Sequence, residues 1–271
     1  MSEIELSDFF YIELLTNVQA LGEQIKNNFF KSFAVIYEEI LFFSEDLTYS
    51  ELFGPDSNRV YAVLIKDKEN NSVLAAAHVR IFLIENLEND ISSNNTFVVP
   101  NYVIVVHKKF RKLGLAATMV ETLEEAFLKD YPHRNVINFN LFFNPFSYKI
   151  FAKRTKFGYP GVPMIQNNHY DNFIMKLYSI IKLPCPKMAN ENFFIYELSH
   201  DIDNYFDLLR DGYKNLCDDL KLFSDLTGLK DRAGIIAIHP VKMLEGNTLG
   251  LEAGDYVVDR IANKIRVIVI N

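Results

Sequence analysis

The stretch that decides the fold is Val103-Ile-Val-Val-His-Lys-Lys-Phe-Arg-Lys-Leu-Gly-Leu-Ala116. Four apolar residues, dense in Val and Ile, read as the end of a strand buried on both faces. A short basic turn follows, His107 to Lys112, and at Gly114 the turn opens into a helix. Helical spacing then places Leu113, Ala116, Ala117, Val120, Leu123 and Phe127 on one stripe, with Glu121, Glu124, Glu125 and Lys129 opposite. The first amides of a helix have no partner inside it and carry the positive end of its dipole. Gly114 permits close backbone approach, Ala116 does not crowd it, and Lys108, Lys109, Arg111 and Lys112 add positive charge. Such a strand-turn-helix is an anion cradle that suits a pyrophosphate. The competing reading is a basic turn at an ordinary strand-helix junction.

The phosphate loops with the strongest signatures are absent: the chain contains neither GxxxxGK[ST] nor GxGxxG. Outward from the turn, Val60–Lys66 and Val73–Ile84 read as two strands joined by a polar turn at Asp67–Asn71. Phe97–Val106 reads as a third strand, after an Asn-rich loop over 86–95. Val136–Phe143 is a further strand. Asn144-Pro145 then has the signature of a helix start, reaching about Lys156. Toward the N-terminus, residues 9–15 read as a strand or a helix start. The three-to-four spacing of Leu14, Val18, Leu21, Ile25, Phe29, Phe33, Ile36 and Ile40 predicts one long helix or two consecutive ones, with a turn at Gly54-Pro55-Asp56. Beyond Gly158 come a Pro-rich loop, a break at Pro184–Pro186, an amphipathic helix over Ile202–Phe223, and two late strands at Gly234–His239 and Ile265–Ile270.

The hexapeptide Arg111-x-x-Gly114-x-Ala116, set between a buried strand and an amphipathic helix, resembles the acyl-CoA pyrophosphate loop of the GNAT superfamily of N-acyltransferases. The order helices, three strands, loop, helix, strand, helix over roughly residues 10 to 160 looks like the core of that family. The resemblance implies an α/β fold, a mixed central β-sheet flanked by helices. The chain then divides into a core with the acyl-CoA site over 1–160 and a C-terminal extension over 161–271, helix-rich and then two strands that extend or complete the sheet or else form a separate small domain. The resemblance implies that amides of Lys112, Leu113, Gly114, Leu115 and Ala116 hold the pyrophosphate, together with Arg111. The edge at Val105 and Val106 would hydrogen-bond the pantetheine arm, and Asn144 would flank the thiol end. The competing role for Asn144 is a simple helix cap.

The sequence departs from the family where many members carry a Tyr that protonates the leaving thiolate. That position is Phe151; Tyr148, nearly one turn earlier, is the substitute, or else an ordinary half-buried Tyr. For a general base the strand candidates are His78, Glu85 and His107. His78 lies among small residues in Ala75-Ala-Ala-His-Val, and its competing role is a core histidine. The implied activity is transfer of acetyl, or another acyl group, from acyl-CoA to a primary amine of a small molecule or protein. The alternative is a catalytically silent acyl-CoA-binding or protein-interaction module.

Composition narrows the classes. With 35 acidic against 28 basic residues among 271, the net charge is −7, which speaks against a general nucleic-acid binder. Two cysteines, Cys185 and Cys217, form no CxxC, and the six histidines show no HxH or HExxH spacing, so neither a disulfide framework nor a metal site is expected. The N-terminus is acidic and lacks a basic segment, and no run approaches the ~20 apolar residues of a membrane span. The expectation is a cytoplasmic chain without signal peptide or membrane span.

Overall fold

The computed structural model describes residues 8–37, 45–55, 59–85, 96–142, 145–156, 187–190, 193–197, 233–258 and 265–270. Asn144, the 86–95 loop, the Pro-rich segments, the helix expected over Ile202–Phe223 and both cysteines lie outside them. In chain order the strands and helices are β1 (Phe10–Leu15), α1 (Glu23–Tyr37), α2 (Glu45–Phe53), β2 (Val60–Asp67), β3 (Val73–Glu85), β4 (Thr96–Val106) and α3 (Leu115–Asp130). They continue with β5 (Asn135–Phe142), α4 (Pro145–Arg154), β6 (Lys187–Asn190), β7 (Phe193–Glu197), β8 (Ala233–Met243), β9 (Gly254–Asp255) and β10 (Arg266–Ile270). The chain forms two compact units. One comprises Met1–Ile81, Asn101–Pro132 and Arg260–Asn271; the other comprises Phe82–Pro100 and His133–Asp259.

In the first unit β1 pairs parallel with β10 and antiparallel with β2, and β2 pairs antiparallel with β3, so the sheet is mixed. The amide of His107 donates to the Leu74 carbonyl at 2.9 Å, tying the end of β4 to the start of β3. Residues Val60 to Ile65 of β2 are all buried because both faces are covered. Alternate residues point to opposite faces: Ala62 and Leu64 join Phe33 and Leu52 beneath α1 and α2, while Tyr61 meets Phe127 of α3 at 6.2 Å between ring centres. The Tyr61 hydroxyl also donates to the Asp130 carboxylate at the end of α3.

The long helix expected from Leu14 starts later. Residues Phe10–Leu15 alternate between buried and half-buried positions and pair with strands on both sides, so they extend. Asn17 is left-handed (φ 47°) and leads into a 3-10 turn at Val18–Ala20 before α1 begins. Leu14, Val18 and Leu21 are buried, but none of them lies on α1. The sequence gives no separate sign of α2, which is only nine residues long. It stops at Gly54, where the amide bonds to the Ser50 carbonyl at 2.9 Å and where any Cβ would collide with that same carbonyl.

In the second unit β4 pairs parallel with β5 at Phe97↔Asn135 and Val98↔Val136, and β5 pairs antiparallel with β8. Strands β7 and β6 follow beyond β8, all antiparallel, so the pairing in this unit is mixed as well. Strand β8 runs past the expected end at His239 to Met243; the register shifts beside Pro240, which suits a residue that has no amide to donate. Helix α4 lies over β8: the rings of Tyr148 and Phe151, one turn apart, both meet His239. Both late strands thus pair within a sheet, β8 with β5 and β10 with β1.

Candidate functional site

The basic turn is built at the mouth of the first unit's sheet. His107 closes β4: its Nδ1 accepts from the Lys109 amide at 3.3 Å and opens a 3-10 turn over Lys108–Phe110. The Phe110 amide returns to the His107 carbonyl at 2.8 Å. Since Nδ1 is an acceptor, the neutral ring carries its proton on Nε2. His107 therefore roots the loop. Arg111 folds back so that its Nε donates to the Val106 carbonyl at 3.2 Å, which spends one of the two strand-edge groups the sequence reading assigned to a pantetheine arm.

Lys112 is left-handed with φ 69°, unusual for a residue with a side chain, and Gly114 is left-handed with φ 78° immediately before α3. A Cβ built on Gly114 meets nothing within 4 Å, so the space in front of this residue is open. No side chain caps α3 at Gly114, and the helix continues from its carbonyl, which accepts the Thr118 amide at 3.0 Å and the Thr118 hydroxyl at 3.2 Å. The amides at the start of α3 lie outside its internal ladder. Lys108, Lys109, Arg111, Lys112 and Leu113 are exposed, while Leu115 is buried and pins the helix. The arrangement fits a pyrophosphate: exposed amides, a helix N-terminus, open space and four cations on one loop. Val105 is buried and Val106 half-buried at the root of the same loop, and Ala116 is half-buried on the first turn. Leu113, expected on the apolar stripe, precedes the helix and is 43% exposed. Glu121 and Glu124, expected toward solvent, are buried, so α3 is covered over a wider arc than its apolar stripe.

His78 lies in the same unit, at the middle of β3. It is buried beside the Phe33 ring at 5.7 Å, and burial, reinforced by Arg80, lowers its pKa to about 4. Its Nε2 stands 3.9 Å from Oε2 of Glu51 on α2. Because His78 is neutral at physiological pH, this contact is not an ion pair in the resting protein. Burial raises the Glu51 carboxyl above its ordinary value, against the pull of Arg80, although half of the side chain reaches solvent. Sequence reasoning missed Glu51 because nothing marked α2 as a helix. Glu85, the other strand candidate, is exposed at the end of β3.

Tyr148 belongs to the second unit. It is 3% exposed, its ring centre is 5.5 Å from that of His239 at 60°, and burial pushes its hydroxyl up to about 12. Phe151 stacks on His239 at 6.0 Å and 29° and is buried too. His239 is wholly buried, which lowers its pKa to about 3. It was visible in sequence only as the last residue of an apolar strand. Among the described residues no three His, Cys, Asp or Glu side chains gather as metal ligands, and no helix is long and apolar enough to cross a membrane.

No family model matches the chain, and no curated protein matches it. Among solved structures, it is similar to Arabidopsis thaliana NAA60 in complex with acetyl-CoA, at 8% identity and a TM-score of 0.40, over 86% of this chain and 98% of that one. It is similar to glucosamine-6-phosphate N-acetyltransferase from Arabidopsis thaliana at 14% identity and a TM-score of 0.33, over 72% of this chain and 99% of the other. A Staphylococcus aureus GNAT family acetyltransferase gives 14% identity and a TM-score of 0.33, over 48% of this chain and 84% of its own. These are loose likenesses. The chain's own order of elements, two helices, the run β2–β3–β4, the basic loop, α3, β5 and α4, with mixed strand pairing flanked by helices, is the order expected of a GNAT-like α/β fold.

Proposed function

We propose that this chain is an N-acyltransferase that binds an acyl-CoA on the loop from Arg111 to Ala116 and transfers its acyl group, acetyl by default, to a primary amine. The observation that carries the reading is the left-handed Gly114 facing open space at the N-terminus of α3, with four cationic side chains on the same loop. Amides of Lys112, Leu113, Gly114, Leu115 and Ala116 hold the pyrophosphate, and Arg111 leaves the Val106 carbonyl to meet it. The freed edge at Val105 and Val106 then takes the pantetheine arm, and Asn144 flanks the thiol end.

The bound thioester supplies an activated acyl carbon; the chain supplies position and proton traffic. His78, neutral near pH 7, accepts, directly or through water, the proton that the free acceptor amine loses as its nitrogen bonds to the acyl carbon. Tyr148 keeps its proton at all working pH values and donates a hydrogen bond to the departing sulfur. Full proton transfer from a group near 12 to a thiolate whose acid has a pKa of about 8.5 costs about 5 kcal/mol, so this help is modest.

The burial of both groups, His78 and Tyr148, favours one second reading: a silent module that binds acyl-CoA without turnover. Release of free thiol from acetyl-CoA with a panel of amines separates the two. The transferase reading expects amine-dependent thiol release that is abolished by His78→Asn; CoA binding without release for any amine gives the silent module.

A further inference from the structure

We propose that Arg111 is a specificity-determining residue: it makes the strand edge that takes the pantetheine arm conditional on a pyrophosphate, so that the site favours CoA thioesters over thioesters that lack the nucleotide. The inference rests on the reading of the loop as an acyl-CoA site. A trans peptide points its carbonyl and its N–H in opposite directions. The His107 amide donates toward β3, to the Leu74 carbonyl at 2.9 Å, so the Val106 carbonyl of the same peptide faces away from β3. On that side the Arg111 side chain folds back over the strand end, and its Nε donates to this carbonyl at 3.2 Å. An amide-bearing arm that adds to β4 like a further strand needs the same carbonyl from the same side. Arg111 and the arm therefore compete for one acceptor.

Charge decides the competition. Arg111 is exposed and lies three residues before Gly114, where α3 begins. The left-handed Lys112, φ 69°, turns the chain just beyond it. The bond that Arg111 makes to the neutral carbonyl is open to water and small in net terms. A guanidinium grips a phosphate with two parallel N–H groups, and such charge-assisted bonds are about twice as strong as neutral ones. A pyrophosphate at the start of α3 thus draws Arg111 off the strand and opens the edge. A thioester of free pantetheine, or of a shorter thiol, brings no anion and has to displace Arg111 unaided. By linkage, the arm in turn favours the pyrophosphate by the same factor.

The test supplies the two halves of CoA separately to the full chain, ADP as the pyrophosphate probe and free pantetheine as the arm. Each is titrated alone and with the other saturating, in wild type and in Arg111→Ala, and read by NMR chemical shifts, with CoA titrated into wild type alongside. We expect saturating ADP to tighten pantetheine about 3- to 10-fold in wild type, the range of one net hydrogen bond. Arg111→Ala should bind pantetheine alone about 3- to 10-fold tighter than wild type and show no response to ADP. An arginine that merely propped the loop would weaken pantetheine on removal, and that result would overturn the proposal. So would coupling that survives in Arg111→Ala. If ADP leaves pantetheine affinity unchanged in wild type, the proposal falls whatever the variant does, and CoA binding to wild type still leaves the acyl-CoA site standing. No CoA binding to wild type overturns that site and this inference with it.

Discussion

Gly114 offers a test in which backbone strain and ligand obstruction separate cleanly. Its φ of 78° lies where a residue with a Cβ is disfavoured by roughly 1–2 kcal/mol, and most for a β-branched side chain. Nothing beyond its chain neighbours lies within 4 Å of the Cβ position, so an added Cβ meets no obstruction there. The expected loss of stability in Gly114→Val is therefore that of the backbone conformation. At roughly 2–4 °C per kcal/mol for a chain of this size, Tm falls by about 2–8 °C. Gly114→Asn adds a side chain of similar reach, but asparagine tolerates the left-handed region, so its Tm stays within about 2 °C of wild type. Both side chains enter the space where a pyrophosphate approaches the amides, so both weaken CoA at least about a hundredfold, near 2.7 kcal/mol. Calorimetric titration with CoA gives the affinities and thermal unfolding gives the Tm values. If CoA binds the valine and asparagine variants within threefold of wild type, the cradle is not at Gly114.

Further predictions follow from the burial of titratable groups and from one tight turn. His78 has a folded pKa near 4 against about 6.5 unfolded, so between those values the unfolded chain binds more protons and stability falls as pH drops from about 6.5 to 4, by about 3 kcal/mol. Urea unfolding from pH 7 to pH 4 should show that loss, reduced in His78→Asn; equal slopes for the two proteins would contradict it. Tyr148→Phe should lower kcat about tenfold, at the weak end of acid assistance, and leave CoA affinity unchanged, since its hydroxyl is held near 12. A loss of 10⁴-fold, or of CoA binding, would give Tyr148 a different role. Gly54→Ala drives a methyl into the Ser50 carbonyl and should cost roughly 1–3 kcal/mol, seen as a lower Tm with the circular dichroism otherwise retained.

The strands β2, β3, β4 and β5, the helix α3 and the start of α4 at Pro145 were legible in sequence because local pattern and turn chemistry agree there. The boundary between β1 and α1 was not. Leu14, Val18 and Leu21 fall at helical spacing, yet β1 extends because β2 and β10, distant in the chain, flank it. Helix α2 escaped notice because it is only nine residues long, and its packing through Leu52, Phe53 and Tyr49 gathers at one end, too short a run to make a periodic stripe. The loss extends to the site. The loop from His107 to Ala116 is contiguous and readable as one unit, whereas Glu51 meets His78 only through the packing of α2 on β3. The left-handed Lys112 and the bond from Arg111 to Val106 likewise follow from loop geometry that no residue spacing encodes.

The central claim is that the loop opening α3 is an acyl-CoA cradle, and binding of CoA itself tests it most directly. Calorimetric titration of the ligand-free chain with CoA should give a single saturable site whose affinity weakens with salt, as expected for a pyrophosphate held by Lys108, Lys109, Arg111 and Lys112. At a hundredfold excess over Kd, CoA should stabilise the fold by about 2.7 kcal/mol. No heat of binding and no thermal shift at millimolar CoA, in protein shown to carry no copurified CoA, would contradict the account.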